Sequence, residues 1–204
     1  MPIVLIGYSD HAYVVCDIFR QMGKQVVGYC DNTKKDKNPD NLEYFGTETD
    51  KDVLLRLKNC ECFVSIGDNH IRSKVSESLI KEKIRLTNAI HPSAIISNSV
   101  KLGKGIMIGP HVVVNACAKI GDGAICNTGS VIEHECVVGE YSHVAPGTVL
   151  CGVVNVGKNT LIGAGTVVNL YTKIGNNVII GAGTVVIKDI PSNLKVAGNP
   201  QREL

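Results

Sequence analysis

The sequence predicts a Rossmann-like α/β domain over residues 1–85, followed by a parallel β-helix over residues 86–204. The β-helix is predicted by a repeat. An apolar residue occupies every sixth position from Ile90 to Val186, which is seventeen positions without a slip. The α/β domain is predicted by short apolar runs that alternate with helical segments. A period of six fits neither an α-helix nor a hairpin sheet, but it suits short strands that are joined by tight corners.

The N-terminal domain is predicted as a short βαβ arrangement with a parallel sheet. Its strands cover residues 2–7, 25–29 and 62–66, and its helices end near residues 22 and 83. In such sheets ligands bind beyond the carboxyl ends of the strands, where Ser9, Asp31 and Gly67 lie. The first turn lacks the G-x-G-x-x-G fingerprint of dinucleotide-binding domains. Ordinary βα loops with Asp and Asn as helix caps are the alternative to a ligand site.

In the β-helix, three six-residue units make one triangular coil of 18 residues, so residues 18 apart should stack in columns. One column contains only glycine: Gly103, Gly121, Gly139, Gly157 and Gly175. A second contains Gly129, Gly147, Gly165 and Gly183. A ladder of hydroxyl residues runs beside the second: Ser130, Thr148, Thr166 and Thr184. We expect glycine in both columns because tight corners often need a positive φ.

Composition and charge give no indication of a nucleic-acid partner, a membrane span or a metal site. The formal net charge of +2 gives no reason to expect a nucleic-acid partner. The sequence has no run of 18 apolar residues that would suggest a membrane span, and the start MPIVLIGYSDH does not resemble a signal peptide. We therefore expect a cytoplasmic protein. The eight cysteines include no Cys-x-x-Cys pair, which favours reduced thiols used as small apolar residues over a metal site.

Among the six histidines, His134 has the surroundings expected of a catalytic base. Its neighbours one coil away are the small residues Ala116 and Gly152, which would leave room for a ligand beside the ring. A carboxylate bonded to one imidazole nitrogen fixes the tautomer and raises the basicity of the other nitrogen. Glu133 and Glu135 both adjoin His134, and the sequence does not choose between them. A solvated corner histidine is the alternative.

His143 precedes the inward residue Val144 and should face outward. It lies nine residues from His134, which is half a coil. We therefore do not expect these two histidines to meet within one chain, although they could approach each other across a subunit interface.

Residues 90–200 resemble the hexapeptide-repeat acyltransferases, whose β-helix is left-handed. The stretch NTGSVIEHECVVGEYSHVAPG is similar to bacterial sugar acetyltransferases, which include UDP-4-amino-sugar N-acetyltransferases of the bacillosamine pathway, perosamine N-acetyltransferases and sialic acid O-acetyltransferases. The segments CDN and IGDNHIR also match, so the resemblance spans nearly the whole chain. It implies an enzyme that uses acetyl-CoA and no metal, in a homotrimer with active sites between neighbouring subunits.

The resemblance also implies roles for individual residues. His134 would be the general base, Glu135 would raise its basicity, and His143 would contact the thioester region of acetyl-CoA. The residues along the cofactor would be Gly152, Ala164 and Ala182. The nucleotide sugar would be held by Ser9, Asp10, His11, Asp31, Asn32 and Gly67. Pro146 stacks in one column with Ala164 and Ala182, which gives a shallow groove for a pantetheine arm.

One position departs from the family pattern. Asp10 stands where the family's first turn usually has a glycine, and it places a negative charge near the expected phosphates. The leading expectation is direct N-acetylation of the 4-amino group of a UDP-linked 4-amino-4,6-dideoxy sugar. The alternatives are N-acetylation of a GDP-perosamine-type sugar, O-acetylation of a sialic acid or another glycan hydroxyl, and a non-catalytic trimeric protein that binds a sugar nucleotide.

Overall fold

A computed structural model describes residues 1–204 of the chain. The chain divides into two compact units, Met1–Pro92 and Ser93–Leu204. The first unit has an α/β fold and the second is a parallel β-helix, as the sequence predicted.

The first unit is built on one parallel sheet. Its strands are β1 (Ile3–Ile6), β2 (Val26–Cys30), β3 (Glu43–Gly46), β4 (Glu61–Val64) and β5 (Arg85–Leu86). Its helices are α1 (Asp10–Gln21), α2 (Lys51–Leu57) and α3 (Asn69–Lys81), and a short strand β6 (Ala89–Ile90) follows the sheet. The strand order is β3-β2-β1-β4-β5, and every neighbouring pair is parallel. The carboxyl ends of β1, β2, β3 and β4 therefore meet at one edge of the sheet.

Burial explains why these segments form the unit. All four residues of β1 are buried, and α1 turns one apolar face to the core with Val15, Ile18 and Phe19. The predicted βαβ arrangement is confirmed, but β3 and α2 were not predicted. The strand β3 lies at the edge of the sheet and is exposed or only half-buried, so its sequence has no continuous apolar run.

The second unit contains strands β7 to β24, which form three faces of a prism. The first face contains β7 (Ile95–Ile96), β10 (Val113–Val114), β13 (Val131–Ile132), β16 (Val149–Leu150), β19 (Val167–Val168) and β22 (Val185–Val186). The second contains β8 (Lys101–Leu102), β11 (Lys119–Ile120), β14 (Val137–Val138), β17 (Asn155–Val156) and β20 (Lys173–Ile174). The third contains β9 (Met107–Ile108), β12 (Ile125–Cys126), β15 (His143–Val144), β18 (Leu161–Ile162), β21 (Ile179–Ile180) and β23 (Lys195–Ala197), with β24 (Arg202–Glu203) antiparallel to β23.

The register of the faces confirms the 18-residue coil. Val113 pairs with Val131 on the first face, Lys119 pairs with Val137 on the second, and Ile125 pairs with His143 on the third. The second residue of each two-residue strand points inward, and from Ile108 to Val186 these residues are buried.

The two glycine columns have different physical causes. The glycines of the column Gly129 to Gly183 have φ between 65° and 68°, and a Cβ there would meet nothing within 4 Å. These positions need the left-handed conformation, as the sequence predicted. In the column Gly103 to Gly175 no φ is left-handed. A Cβ on Gly139 would lie 2.5 Å from the backbone of Gly157, so the expectation of a positive φ was wrong for this column. Close approach between successive coils requires glycine there.

Candidate active site

We call the turn between the first and second faces the first corner; in one coil it comprises residues 133–136. His134 lies on this corner with 56% of its side chain exposed. Its Nδ1 is 3.3 Å from Oε2 of Glu135. Its ring lies against the backbone of Gly152 one coil further on, because a Cβ on Gly152 would be 2.5 Å from Nε2. The sequence predicted that the small residue Gly152 would leave room for a ligand beside the ring. In the structure the imidazole of His134 itself occupies the space next to Gly152.

Of the two carboxylates beside His134, the structure brings Glu135 to the ring. Glu133 instead accepts a hydrogen bond from Asn115 Nδ2 at 2.9 Å, one coil back. Strand alternation would send both carboxylates away from His134. The rule does not hold for Glu135, because its backbone is left-handed, with φ of 60°, and the chain turns at this residue. The sequence could not choose between the two carboxylates because the choice depends on this backbone conformation.

His143 lies on the third face, away from the first corner, so the structure does not bring it to His134. Its Nε2 is 3.2 Å from the side-chain nitrogen of Asn127. The orientation of the Asn127 amide is set by its oxygen, which accepts the backbone N–H of Thr128 at 2.8 Å. Asn127 Nδ2 therefore donates to His143 Nε2, and a neutral His143 ring must carry its proton on Nδ1.

Sequence reasoning missed Asn127, although the columns contain the signal. Ile125 pairs with His143 in adjacent coils of the third face, and Asn127 follows Ile125 by two residues. Strand alternation places Asn127 on the same outward side as His143. The 18-residue arithmetic could thus have identified an amide within reach of the ring.

The predicted cofactor residues fall into two groups. Ala164 and Ala182 are exposed and stack with Pro146 at the corner that follows the third face, which is the face that carries His143. Gly152 belongs to the first corner with His134. The predicted groove of small residues thus lies along one corner, and the predicted base lies on another.

The first unit has a cavity of about 320 Å³ at the carboxyl ends of its strands, which we call the nucleotide pocket after the ligand that the sequence predicts there. Its polar lining includes Ser9, Asp31, Asn32, Lys35 and Glu48, and Gly67 also lines it. Asp31 is already engaged within the chain. One oxygen accepts the N–H of Tyr8 at 2.9 Å, and the other accepts the N–H of Asn32 at 2.8 Å and lies 2.9 Å from the Lys35 ammonium.

Ser9 precedes the first turn of α1, and its side chain makes no capping hydrogen bond. The N-terminus of α1 therefore opens at this pocket with backbone N–H groups and a hydroxyl, a combination that suits a phosphate. The predicted residues Asp10 and His11 lie in the first turn of α1 and do not line the pocket.

His11 lies close to the buried Arg72. Burial, and to a smaller extent the charge of Arg72, lower the pKa of His11 to about 4, so the ring is neutral at pH 7. Arg72 is 1% exposed, and its guanidinium donates to the backbone oxygens of Ile66 and Gly67 at 3.0 and 2.9 Å. It thereby holds the turn that follows β4, which is one wall of the nucleotide pocket.

Known proteins share both the sequence and the fold of this chain. Residues 2–79 match the family model described as the PglD N-terminal domain. The chain is 36% identical to PerB from Caulobacter crescentus in complex with CoA and GDP-perosamine, with a TM-score of 0.92 and coverage of 100% of this chain and 97% of that chain. This chain belongs to the hexapeptide-repeat sugar N-acetyltransferases.

Other relatives of this acetyltransferase extend the comparison. A histidine-to-asparagine variant of perosamine N-acetyltransferase from Caulobacter crescentus, also in complex with CoA and GDP-perosamine, is 35% identical with a TM-score of 0.94, over 100% and 97% of the two chains. The acetyltransferase domain of PglB from Neisseria gonorrhoeae is 29% identical with a TM-score of 0.92, over 100% and 99%. Uncharacterized protein L142 of Acanthamoeba polyphaga mimivirus is 32% identical over 107 residues, which are 52% of this chain and 21% of that protein. The chain thus spans about a fifth of the length of this curated relative.

Family membership bears on the fold and on the acetyl donor. The β-helix of this sugar acetyltransferase is left-handed, as in the relatives that it matches. The acetyltransferase domain of PglB, 29% identical, is solved in complex with acetyl coenzyme A. No group of three or more His, Cys, Asp or Glu side chains is placed to hold a metal ion. No helix of the acetyltransferase is long and apolar enough to cross a membrane.

Proposed function

We propose that this acetyltransferase transfers the acetyl group of acetyl-CoA directly to the 4-amino group of a nucleotide-linked 4-amino-4,6-dideoxy sugar. The observation that carries the proposal is the His134 imidazole, whose Nδ1 faces Glu135 while Nε2 is left to act as a base. The resemblance of the sequence favoured a UDP-linked sugar, whereas PerB, 36% identical, is bound to GDP-perosamine. The choice between a UDP-linked and a GDP-linked sugar depends on the residues that line the nucleotide pocket.

In the proposed reaction the neutral amine attacks the carbonyl carbon of the thioester. A C–N bond forms, His134 Nε2 takes the proton that the amine loses, and the C–S bond breaks. The proton then passes to the departing sulfur, which leaves as the CoA thiol. The Glu135 carboxylate holds the N–H of Nδ1 during these transfers. The backbone N–H of Gly152, which bonds to no other group of the chain, is a candidate donor to the developing oxyanion.

We further propose that the active site is completed by a second copy of the chain in a homotrimer. His143 and the small residues Ala164 and Ala182 lie around the third face, whereas His134 lies on the first corner. A cofactor that runs along the groove of one copy would reach the base of a neighbouring copy. This arrangement would explain why the two histidines are kept apart within one chain.

Replacing the proposed base tests the function. His134→Asn should lower kcat by about 10²- to 10⁴-fold, the usual contribution of a general base. Release of the CoA thiol would be measured with amino-sugar nucleotides as acceptors, and CoA binding should persist. His70→Asn is the matched control, because His70 is exposed on α3. A His134→Asn enzyme that keeps most of its activity would reject the assignment.

A panel of acceptors separates N-acetylation from O-acetylation. We expect turnover with 4-amino sugar nucleotides and none with free sialic acid. The opposite pattern would favour the O-acetyltransferase. If neither kind of acceptor leads to thiol release, a protein that only binds sugar nucleotides would be favoured.

A further inference from the structure

Glu48 is a pocket residue that neither the sequence motifs nor the proposed chemistry uses. It follows β3, lines the nucleotide pocket and is half-buried. Asp31, the other carboxylate of the pocket, already accepts two backbone N–H groups and pairs with Lys35. Glu48 makes no hydrogen bond or ion pair within the chain, so its carboxylate is available to a ligand in this pocket.

The order of the strands gives the pocket two unlike ends. Ser9 and the N-terminus of α1 follow the central strand β1, where they suit a diphosphate. On one side, after β4, the lining is Ile66, Gly67 and Ile71, which carry no side-chain hydrogen-bonding group. On the other side, after β2 and β3, it includes Lys35 and Glu48. Only this second side offers charged groups that could distinguish one nucleobase from another.

We propose that Glu48 and Lys35 select guanine, so that the acceptor of this enzyme is a GDP-linked amino sugar. The proposal deepens the proposed function and rests on it. Guanine presents N1–H and its 2-amino group side by side, and one carboxylate can accept from both in a bidentate, charge-assisted pair. The neighbouring O6 is an acceptor that suits the Lys35 ammonium, which keeps further donors while it contacts Asp31.

Uracil complements this pair of side chains less well. It has a single N–H, and a carbonyl oxygen flanks that group on each side. A carboxylate that accepts from the N–H therefore places its second oxygen against a carbonyl oxygen, and the second charge-assisted bond is lost. Sites built around a buried or half-buried polar group discriminate strongly against ligands that leave it unpaired.

Binding of GDP, inosine diphosphate and UDP to the intact protein, measured by calorimetry, tests the proposal without the acetyl-transfer reaction. We expect GDP to bind at least about tenfold more tightly than UDP, which corresponds to about 1.4 kcal/mol. Inosine diphosphate lacks the 2-amino group and should bind more weakly than GDP. In Glu48→Gln the advantage of GDP over inosine diphosphate should disappear, while UDP affinity changes little. Glu82→Gln, an exposed residue after α3, is the control.

The outcomes separate this proposal from the proposed function. If UDP binds as tightly as GDP, or if Glu48→Gln keeps the preference for GDP over inosine diphosphate, guanine selection by Glu48 is wrong while the acetyltransferase assignment stands. If neither GDP nor UDP binds, the nucleotide pocket and this proposal both fail. If Glu48→Gln has the same unfolding temperature as the wild type, its changes in nucleotide affinity do not come from misfolding.

Discussion

Because His134 contacts Gly152, the activity can be perturbed without replacing any polar side chain. In Gly152→Ala the new Cβ would lie 2.5 Å from Nε2 and 2.7 Å from Cε1 of His134. An ordinary contact needs at least 3.4 Å, so the ring must move by about 0.9 Å, the difference between 3.4 and 2.5. The φ of Gly152 is not left-handed, so alanine strains no backbone dihedral there. The ring is exposed and can move, so we expect stability to change little.

Such a displacement should be costly for the chemistry. A misplacement of about 1 Å at a reacting group can lower the rate by about 10²-fold, which is about 2.7 kcal/mol of transition-state free energy. We therefore expect kcat to fall by about that factor, with Tm and CoA affinity near those of the parent. Steady-state thiol release and thermal unfolding would measure these quantities.

A double-mutant cycle decides whether Gly152 acts through His134. If it does, His134→Asn combined with Gly152→Ala should be no slower than His134→Asn alone. Losses that multiply in the double variant would refute the reasoning, because they would mean that the new methyl group lowers the rate by a route other than displacement of His134. Gly23→Ala gives the contrasting control. Gly23 has φ of 69° with nothing within 4 Å of its Cβ position, so alanine there should lower stability and leave kcat unchanged.

Two further predictions concern residues that support the sites. Asn127→Asp keeps the shape of the side chain but replaces the N–H donor to His143 Nε2, so the ring should shift to the Nε2–H form. ¹⁵N NMR of the imidazole would detect that shift, and we expect KM for acetyl-CoA to rise by about tenfold with a smaller change in kcat; an unchanged tautomer would contradict the inferred hydrogen bond. His11 has its pKa lowered from 6.5 to about 4 in the folded chain, so the unfolded chain binds the additional proton as pH falls through this window. The free energy of unfolding of the first unit should therefore decrease between pH 6.5 and 4, and His11→Gln should remove that part of the pH dependence in urea titrations; an equal slope in the variant would reject it.

The β-helix could be predicted from the sequence because each six-residue unit repeats one physical requirement, an inward apolar residue such as Ile132 or Val138. The same arithmetic placed His134 on a corner and separated it from His143 by half a coil. It could not give the partner of His134, because Glu135 reaches the ring only through a left-handed backbone. It also assigned one cause to two glycine columns, since sequence identity does not distinguish a positive φ from a close approach between coils.

The first unit was less predictable because its pocket depends on contacts between distant segments. Asp31 was expected to meet the ligand directly, yet its oxygens hold the N–H of Tyr8, 23 residues away, and the ammonium of Lys35. Glu48 follows an edge strand with no apolar pattern, so no local signal marked it. Residues that shape a site through tertiary contacts leave no periodic trace in a sequence.

The backbone of the first corner differs from that of the corner after the third face. At the corner after the third face, the left-handed position is glycine in four successive coils, from Gly129 to Gly183. At the first corner, Cys117, Glu135, Val153 and Tyr171 adopt the same conformation with side chains attached. Left-handed backbone costs an L-residue with a Cβ roughly 1–2 kcal/mol, so glycine would be the more stable choice at each. The side chains are retained along the column that includes Glu135, the partner of His134, whereas the corner with the groove of small residues uses glycine. The corner after the second face likewise has Tyr141, Asn159 and Asn177 in this conformation, so left-handed side chains are not peculiar to the first corner. At Glu135 this cost brings a carboxylate to the proposed base.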